Sequence, residues 1–268
     1  METGERLVSA NGITQAVRVA GPPDGAPALL IHGNCSSAAF WEPLVRRLPA
    51  TLRVVAPDLR GYGLTDTVGV DATRGLSDFA DDVAALLDEP SLFPSGAKPV
   101  VVGHSLGGGV AMRLLVDHPD RVGALLLAAP VSPYGYGGTR DLTGTPTTPD
   151  FAGTGGGTGN RDFVKRLAAG DRGVDAPTSP RAVLRATYVA DPASLGDDEE
   201  LLLDSLLSTA TGDDNYPGTA VTSANWPGTA PAGAACSTPS RRRTSASPTS
   251  WSRWPASRRS PGSTGTPT

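Results

Sequence analysis

The chain has 268 residues, 38% of them hydrophobic, and a formal net charge of −4, so it is long enough for one large domain or for a domain with an insertion. No apolar run approaches the roughly 18 residues that a membrane-spanning helix needs, and the first residues do not form a secretory signal. The two cysteines, Cys35 and Cys236, have the spacing of neither a disulfide framework nor a metal site. We therefore expect a cytoplasmic protein without metal, cofactor or membrane partner.

The first 132 residues alternate between segments typical of strands and of helices. Residues 6–20 alternate apolar and polar side chains around Asn11-Gly12, which predicts a β-hairpin at a sheet edge. Four short apolar runs then fit strands of a parallel sheet buried on both faces, at residues 28–31, 53–56, 100–102 and 124–128. Helical spacing separates them, at residues 37–48, 76–87 and 106–116. This order predicts a mostly parallel, doubly wound α/β sheet over residues 1–132.

Residues 133–215 differ in composition and form a second predicted region. Gly and Thr predominate over residues 134–159, which predicts a loop or a boundary. Three helical segments follow, at residues 161–169, 179–189 and 197–208, and the last begins with four acidic residues, as the helix dipole favours. We interpret this region as a helical insertion that lies over the sheet as a lid.

Residues 216–268 form a third region of low complexity. Beyond Leu207 the chain contains no Leu, Ile, Phe, Met or Lys, and Val221 is its only aliphatic β-branched residue. Ser, Thr, Pro, Ala, Gly, Trp and six arginines make up most of the rest. Because this composition cannot build a core, it predicts a tail that is disordered or not native to the fold.

An out-of-frame reading of a GC-rich coding strand would give a tail of this kind. Codons for residues 261–268 exist whose shifted frame reads Trp-Val-His-Gly-Asp-Ala-Asp, a strand end followed by an acidic turn. We therefore hypothesise that the reading frame slips between Pro227 and Cys236. The alternative is a naturally disordered Arg-rich tail. A nucleic-acid segment around Trp251 and Trp254 is disfavoured, because no stacking fold or basic face accompanies them.

The segment Gly103-His104-Ser105-Leu106-Gly107 follows a predicted strand and precedes a predicted helix. A nucleophile elbow requires this context, in which the hydroxyl of Ser105 stands clear of the backbone. The free N–H of Leu106 can then donate to a developing oxyanion. In a chain rich in glycine the motif alone is weak, and a Gly-rich helix start without a catalytic serine is the alternative. The flanking strand and helix favour the nucleophile.

Two polar loops follow the earlier strands. His32-Gly33-Asn34 ends the strand at residues 28–31, where the backbone N–H of Asn34 is the expected second oxyanion donor. We interpret His32 as a structural histidine that shapes this loop. Asp58 and Arg60 are interpreted as residues that tie the next loop, because an aspartate here lies outside the usual triad order.

Three motifs occur in the order and contexts of the α/β-hydrolase superfamily: His32-Gly33, residues 58–63 and residues 103–108. The chain resembles that family closely over residues 12–131 and loosely over the insertion. The resemblance implies an eight-stranded, mostly parallel sheet and a Ser-acid-His triad. A serine at the elbow argues against haloalkane dehalogenases and epoxide hydrolases, and the oxyanion loop lacks the longer motif of proline iminopeptidases. Esterase or lactonase chemistry on a small-molecule acyl substrate is therefore expected.

The histidines of the chain do not complete such a triad. The activating base in this fold is a histidine late in the chain, after the acid. The three histidines are His32, His104 and His118, none of them at that position, and no catalytic acid is found. We therefore expect the chain as given to be inactive or severely slowed.

Two other functions are alternatives. A non-catalytic protein of the same fold would bind a small ligand in the same pocket. A Rossmann-type cofactor site at residues 103–109 is disfavoured, because the glycine spacing and the following acidic residue are lacking. The sequence gives no indication of an oligomeric state.

Overall fold

The computed structural model describes residues 1–71, 74–133, 139–141, 143–153, 159–226 and 228–232. Six strands of these residues form the main sheet: β1 (Gly4–Ala10), β2 (Ile13–Ala20), β3 (Ala26–Ile31), β4 (Leu52–Pro57), β5 (Val100–His104) and β6 (Ala124–Ala128). Their order is β1-β2-β4-β3-β5-β6. The β1–β2 and β2–β4 pairs are antiparallel, whereas β4, β3, β5 and β6 run parallel. The mostly parallel sheet is confirmed, with six strands among the described residues where the resemblance implied eight.

The N-terminal hairpin has the predicted turn. Asn11 and Gly12 have φ values of 53° and 75°, as a two-residue turn that matches strand twist requires. Ala10 pairs directly with Ile13 across the turn. The hairpin places β1 at one edge of the sheet.

Six α-helices lie among the described residues: α1 (Glu42–Val45), α2 (Ser77–Leu86), α3 (Leu106–Asp117), α4 (Arg161–Ala168), α5 (Pro180–Val183) and α6 (Glu199–Leu207). The helix predicted over residues 37–48 is shorter in the structure, where the 3₁₀ turn Ala38–Trp41 is followed by α1. Pro43 lacks the N–H that a continuous helix would use at this point. The segment predicted at residues 179–189 is α5 continued by a π turn, Leu184–Tyr188. Among the helices of the described residues, none is long and apolar enough to cross a membrane.

Helical segments cover both faces of the sheet. One face buries Leu29 and Val101 beneath α2 and α3. The opposite face buries Leu30 and Val54 beneath the segment from residue 38 to residue 45. Successive residues of a strand point to opposite faces, so the apolar runs supply two cores. This arrangement confirms the doubly wound α/β class.

The far edge of the sheet is β6. Leu126 and Leu127 of this strand are 52% and 38% exposed, and Val100 of β5 is 43% exposed. No other strand of the described residues pairs with the outer side of β6. This end of the sheet therefore presents apolar side chains and open backbone groups to solvent.

Four short strands lie on both sides of residue 216, where the region assigned to the low-complexity tail begins. They are β7 (Thr211–Gly212), β8 (Tyr216–Pro217), β9 (Ala220–Thr222) and β10 (Thr229–Pro231), which pair as β7–β8 and β9–β10. Polar contacts hold them to other loops, such as the bond from Ser223 Oγ to Asp150 Oδ2 at 2.5 Å. Residues 233–268, the rest of the predicted tail, lie outside the described residues.

Candidate active site

Ser105 lies at the junction of β5 and α3 with φ 52° and ψ −117°, a conformation that residues with side chains rarely adopt. Its N–H donates to the carbonyl of Ala128 at 3.1 Å, and its carbonyl accepts from Val131 at 3.0 Å. Strand β6 and the residues after it therefore hold the turn. The side chain is half-buried, and its hydroxyl makes no hydrogen bond to a described residue.

The glycines around Ser105 are required by close packing. A Cβ on Gly107 would lie 2.2 Å from the carbonyl oxygen of Ile31 and 2.4 Å from that of His32. A Cβ on Gly103 would lie 2.4 Å from the carbonyl oxygen of Gly107. Real Cβ atoms essentially never approach other heavy atoms that closely. The first turn of α3 therefore lies directly against the end of β3.

The loop His32-Gly33-Asn34 after β3, called the oxyanion loop for the donor expected at Asn34, reaches the elbow at Gly33. A Cβ on Gly33 would lie 3.1 Å from Cβ of Ser105, so the peptide unit between Gly33 and Asn34 lies beside the serine. Neither the N–H of Asn34 nor that of Leu106 donates to a described residue. Leu106 begins α3, and the first N–H groups of a helix have no partner within it. The structure thus brings the expected nucleophile and the expected N–H donors to one place.

His32 is fully buried and bonds only to neighbouring loops. The N–H of Leu59 donates to Nε2 at 2.9 Å, while Nδ1 lies 2.8 Å from the carbonyl oxygen of Gly33 and 3.1 Å from Oγ of Ser36. Because Nε2 accepts, the proton is on Nδ1, which donates to Gly33. Burial lowers the pKa of the imidazole. His32 is therefore neutral and structural, as interpreted from the sequence.

The carbonyl of Gly33 accepts two hydrogen bonds, one from His32 and one from Oγ of Ser36 at 2.8 Å. This carbonyl belongs to the same peptide unit as the N–H of Asn34. The two bonds therefore fix the plane of the peptide and the direction in which the N–H points. Ser36 was not found from the sequence, because a serine three residues after a glycine has no distinctive pattern.

Two tyrosines from distant segments hold Asn34. The hydroxyl of Tyr62 donates to Oδ1 of Asn34 at 2.6 Å. The hydroxyl of Tyr188 donates to the carbonyl oxygens of Asn34 and Cys35 at 3.3 and 3.4 Å. Burial raises the pKa of Tyr188 well above its ordinary value, so it remains a donor. The insertion thereby contacts the oxyanion loop directly.

Asp58 and Arg60 stabilise loops, as interpreted from the sequence. The carboxylate of Asp58 accepts from the N–H groups of Ala38 and Leu64 at 2.7 and 2.9 Å. Arg60 donates twice to the buried carboxylate of Asp82, at 2.6 and 2.7 Å. Neither side chain bonds to the elbow.

The other two histidines also make no hydrogen bond to the nucleophile. The ring of His104 meets that of Trp41 edge-on at a centroid distance of 6.5 Å, and burial lowers its pKa. His118 is the cap residue that follows the last residue of α3. Among the described residues, no histidine or carboxylate bonds to Oγ of Ser105, and no group of His, Cys, Asp and Glu could hold a metal ion. The site therefore brings together the expected nucleophile and the expected oxyanion donors, and no described base is bonded to Ser105.

Comparison with known proteins identifies the family. The profile described as "Alpha/beta hydrolase family" matches residues 28–261. The chain belongs to the α/β hydrolase family. This membership confirms the resemblance inferred from the motifs.

Curated relatives of this α/β hydrolase align with part of it. RutD of Variovorax paradoxus, provisionally named a carbamate hydrolase, is 42% identical over 110 residues, 41% of this chain and 40% of that protein. Lipase LipV of Mycobacterium tuberculosis is 40% identical over 114 residues, 41% of this chain and 39% of that protein. The chain spans about two fifths of the length of these relatives. Both relatives are named as hydrolases, which agrees with the enzyme class inferred from the motifs.

A solved structure matches a longer part of the chain. E-2-(acetamidomethylene)succinate hydrolase is 26% identical to it, with a TM-score of 0.50. The match covers 76% of this chain and 64% of that one. The shared fold therefore extends past the first six strands into the insertion.

A cavity of about 370 Å³ adjoins the oxyanion loop of this α/β hydrolase. Asn34 and Cys35 form one wall, and Phe163 and Val183 of the insertion form another. Pockets that take small ligands have volumes of this order. The cavity therefore shares Asn34 with the loop that lies beside Ser105.

Proposed function

We propose that Ser105 is the nucleophile of a hydrolase acting on small carboxylic esters or lactones. Oγ of Ser105 loses its proton to water and attacks the carbonyl carbon, and the N–H groups of Leu106 and Asn34 hold the oxyanion that forms as the carbonyl electron pair moves to oxygen. Collapse of this intermediate expels the alcohol, and water then hydrolyses the acyl-serine to the acid. The positive φ of Ser105 at the strand-to-helix junction carries this proposal. The name of the relative Lipase LipV agrees with ester chemistry.

The chain as given is expected to turn over slowly or not at all. A serine hydroxyl is a weak nucleophile until a base removes its proton. None of the three histidines bonds to Ser105, and His32 is engaged at both ring nitrogens. Loss of one triad member costs several orders of magnitude in rate, although an oxyanion hole retains some acceleration over water.

Covalent labelling by a fluorophosphonate tests the assignment of the nucleophile. We expect slow labelling confined to Ser105, located by peptide mass mapping. Its rate should rise with pH without a plateau near pH 7, because no imidazole base acts on the serine. Ser105→Ala should abolish the label, whereas Ser91→Ala, a change at an exposed residue, should not. Labelling at another residue, or none at pH 9, contradicts the proposal.

Turnover of p-nitrophenyl acetate tests the expected inactivity separately. The hydrolysis rate at pH 7 should differ little between the wild-type chain and Ser105→Ala. Robust Ser105-dependent turnover would show that a base is present and that the expected inactivity is wrong.

A non-catalytic ligand-binding protein is the second candidate. The formed cavity beside a serine without a bonded base favours it. Such a protein would melt cooperatively and bind a small ligand, and Ser105 would remain unlabelled under all conditions. The labelling experiment therefore distinguishes the two functions.

A further inference from the structure

The described residues that line the cavity beside the oxyanion loop carry no formal charge. The side chains that line it are those of Asn, Cys, Phe, Pro, Thr, Val and Tyr. Three are aromatic, those of Phe163, Tyr188 and Tyr216, and Phe163 and Tyr216 are buried. The cavity therefore suits a compact group with apolar or aromatic surface.

Three hydroxyl groups on the cavity walls already donate within the protein. Thr178 donates to Asp162, and Thr187 donates to the carbonyl oxygen of Val183 at 2.7 Å. Tyr188 donates to the carbonyl oxygen of Asn34. These three hydroxyl protons are therefore not available to an anionic ligand.

Arg166, a half-buried arginine of the insertion, is already paired. Arg166 lies on α4, the helix of Phe163, and forms ion pairs with Asp162, Asp171 and Asp175 at 3.1, 2.7 and 3.3 Å. Hydrogen bonds, chiefly from Thr178 and Arg166 respectively, lower the pKa of Asp162 and Asp171, so both remain ionised. The three aspartates outnumber the one arginine, so this cluster carries net negative charge. The guanidinium of Arg166 is occupied by these ion pairs.

The other two cations of α4 do not line the cavity. Arg161 and Lys165 are exposed to solvent. A carboxylate bound in the cavity would therefore meet no cation among the described lining residues, and these three hydroxyl groups would not donate to it, which is unfavourable.

We propose that this cavity binds the acyl group of the substrate, that it selects uncharged, compact, apolar or aromatic acyl groups, and that it excludes acyl groups bearing a carboxylate. This inference rests on the proposed function, because Asn34 both lines the cavity and supplies an oxyanion donor. The solved relative is named for a succinate derivative, so the proposal gives this chain a different substrate class.

Two amides of nearly equal shape test the selection without requiring catalysis. 4-Nitrobenzamide and 4-carboxybenzamide differ at the distal end, where one carries a neutral nitro group and the other a carboxylate. In titrations followed by ligand-observed NMR, we expect 4-nitrobenzamide to bind at least tenfold more tightly than 4-carboxybenzamide. The same difference is expected for the wild-type chain and for Ser105→Ala. Equal or tighter binding of the carboxylate, or no binding of the nitro compound, overturns the proposal.

A new cation on the cavity wall should reverse the preference. Thr187 lines the cavity but is exposed, so Thr187→Lys should fold and should improve binding of 4-carboxybenzamide at least tenfold. Val174→Lys adds the same charge at a residue that is 59% exposed and does not line the cavity. It should leave the ratio of the affinities for the two amides unchanged. An unchanged ratio in Thr187→Lys, or an equal change in both variants, places the ligand elsewhere and overturns the proposal.

A cavity-filling pair gives a second test. Val183→Trp should remove binding of 4-nitrobenzamide, whereas Val174→Trp should retain it. Retained binding in a folded Val183→Trp variant contradicts the proposal, and the lysine pair decides if Val183→Trp does not fold. If Ser105 is labelled but 4-nitrobenzamide does not bind more tightly than 4-carboxybenzamide, only the substrate class is rejected. If 4-nitrobenzamide binds more tightly but Ser105 is not labelled, only the proposed reaction is rejected.

Discussion

The backbone N–H of Leu59 donates to Nε2 of His32 at 2.9 Å, joining the loop after β4 to the loop after β3. Protonation of Nε2 would remove this acceptor from a fully buried site. The neutral form of His32 is therefore part of the folded structure, together with the bond from Nδ1 to Gly33.

The first prediction concerns stability against pH. Burial lowers the pKa of His32 below its ordinary value of 6.5, so the unfolded chain binds the proton more readily. The free energy of unfolding should be constant above about pH 7, fall as the pH drops below 6.5, and level off below the folded-state pKa. Each unit of difference between the folded and unfolded pKa is worth about 1.4 kcal/mol.

Denaturant unfolding at pH 7.5 and 5.5 measures this dependence. His104, whose pKa burial also lowers, contributes with the same sign. His32→Gln should therefore reduce the dependence without abolishing it. A free energy of unfolding that rises as the pH falls from 7.5 to 5.5 would show that the protein does not hold these rings neutral.

The second prediction compares two adjacent serines. Ser36→Ala removes a hydrogen bond to the carbonyl of Gly33, whereas Ser37→Ala removes a bond to Oγ of Ser205 at 2.6 Å. Each should lower the free energy of unfolding by about 1 kcal/mol. Only Ser36→Ala should slow the labelling of Ser105, by roughly tenfold, because only that bond aligns an oxyanion donor. Equal labelling rates in the two variants would refute the alignment role.

The third prediction concerns the first turn of α3. Gly107→Ala would place a methyl group 2.2 Å from the carbonyl oxygen of Ile31, and should lower the free energy of unfolding by at least about 3 kcal/mol. Gly4→Ala is the control, because its nearest neighbour lies at 4.0 Å, and should change stability by less than about 0.5 kcal/mol. Thermal denaturation of both variants distinguishes the two; similar melting temperatures would mean that the turn is not packed as described.

The fourth prediction concerns the exposed edge of the sheet. An edge strand with apolar side chains and open backbone groups promotes association between chains, and a lysine on it opposes such pairing. Leu126→Lys should therefore raise the concentration at which the protein remains monomeric, measured by light scattering. Val174→Lys, with the same added charge on the insertion, should have a smaller effect. If Leu126→Lys and Val174→Lys raise this concentration equally, the change is due to net charge and not to the edge of the sheet.

The fifth prediction concerns the composition of the tail. If the reading frame slips between Pro227 and Cys236, the coding strand read in the other frames should encode a strand, an acidic turn and a later histidine. Sequencing of independent gene copies tests this. One uninterrupted frame in every copy, encoding the residues as printed, would reject a frame slip.

Local patterns predicted most of the sheet and the two long core helices. Strand β6 was predicted with its observed bounds, and α3 ends one residue beyond its predicted end, because short apolar runs and helical spacing depend only on neighbouring residues. The predicted helix over residues 37–48 failed for a local reason, since Pro43 interrupts it. The short strands after Thr211 were missed because few apolar residues mark them.

The site was predictable only in part. Motif spacing indicated Ser105, Leu106 and Asn34, and the structure brings their segments together. The tyrosines that hold Asn34 lie 28 and 154 residues away along the chain, and no sequence pattern connects such distant partners. Tertiary packing alone determines those contacts.

The close packing of the elbow limits how the site could be re-engineered. A Cβ would come within 2.7 Å of backbone atoms at Gly103 and Gly107, and of the proline ring of Pro130 at Gly108. A library randomised at these three positions would mostly return unfolded proteins. Directed evolution of new selectivity should instead vary the insertion, where Val183 and Thr187 face the cavity without supporting the turn.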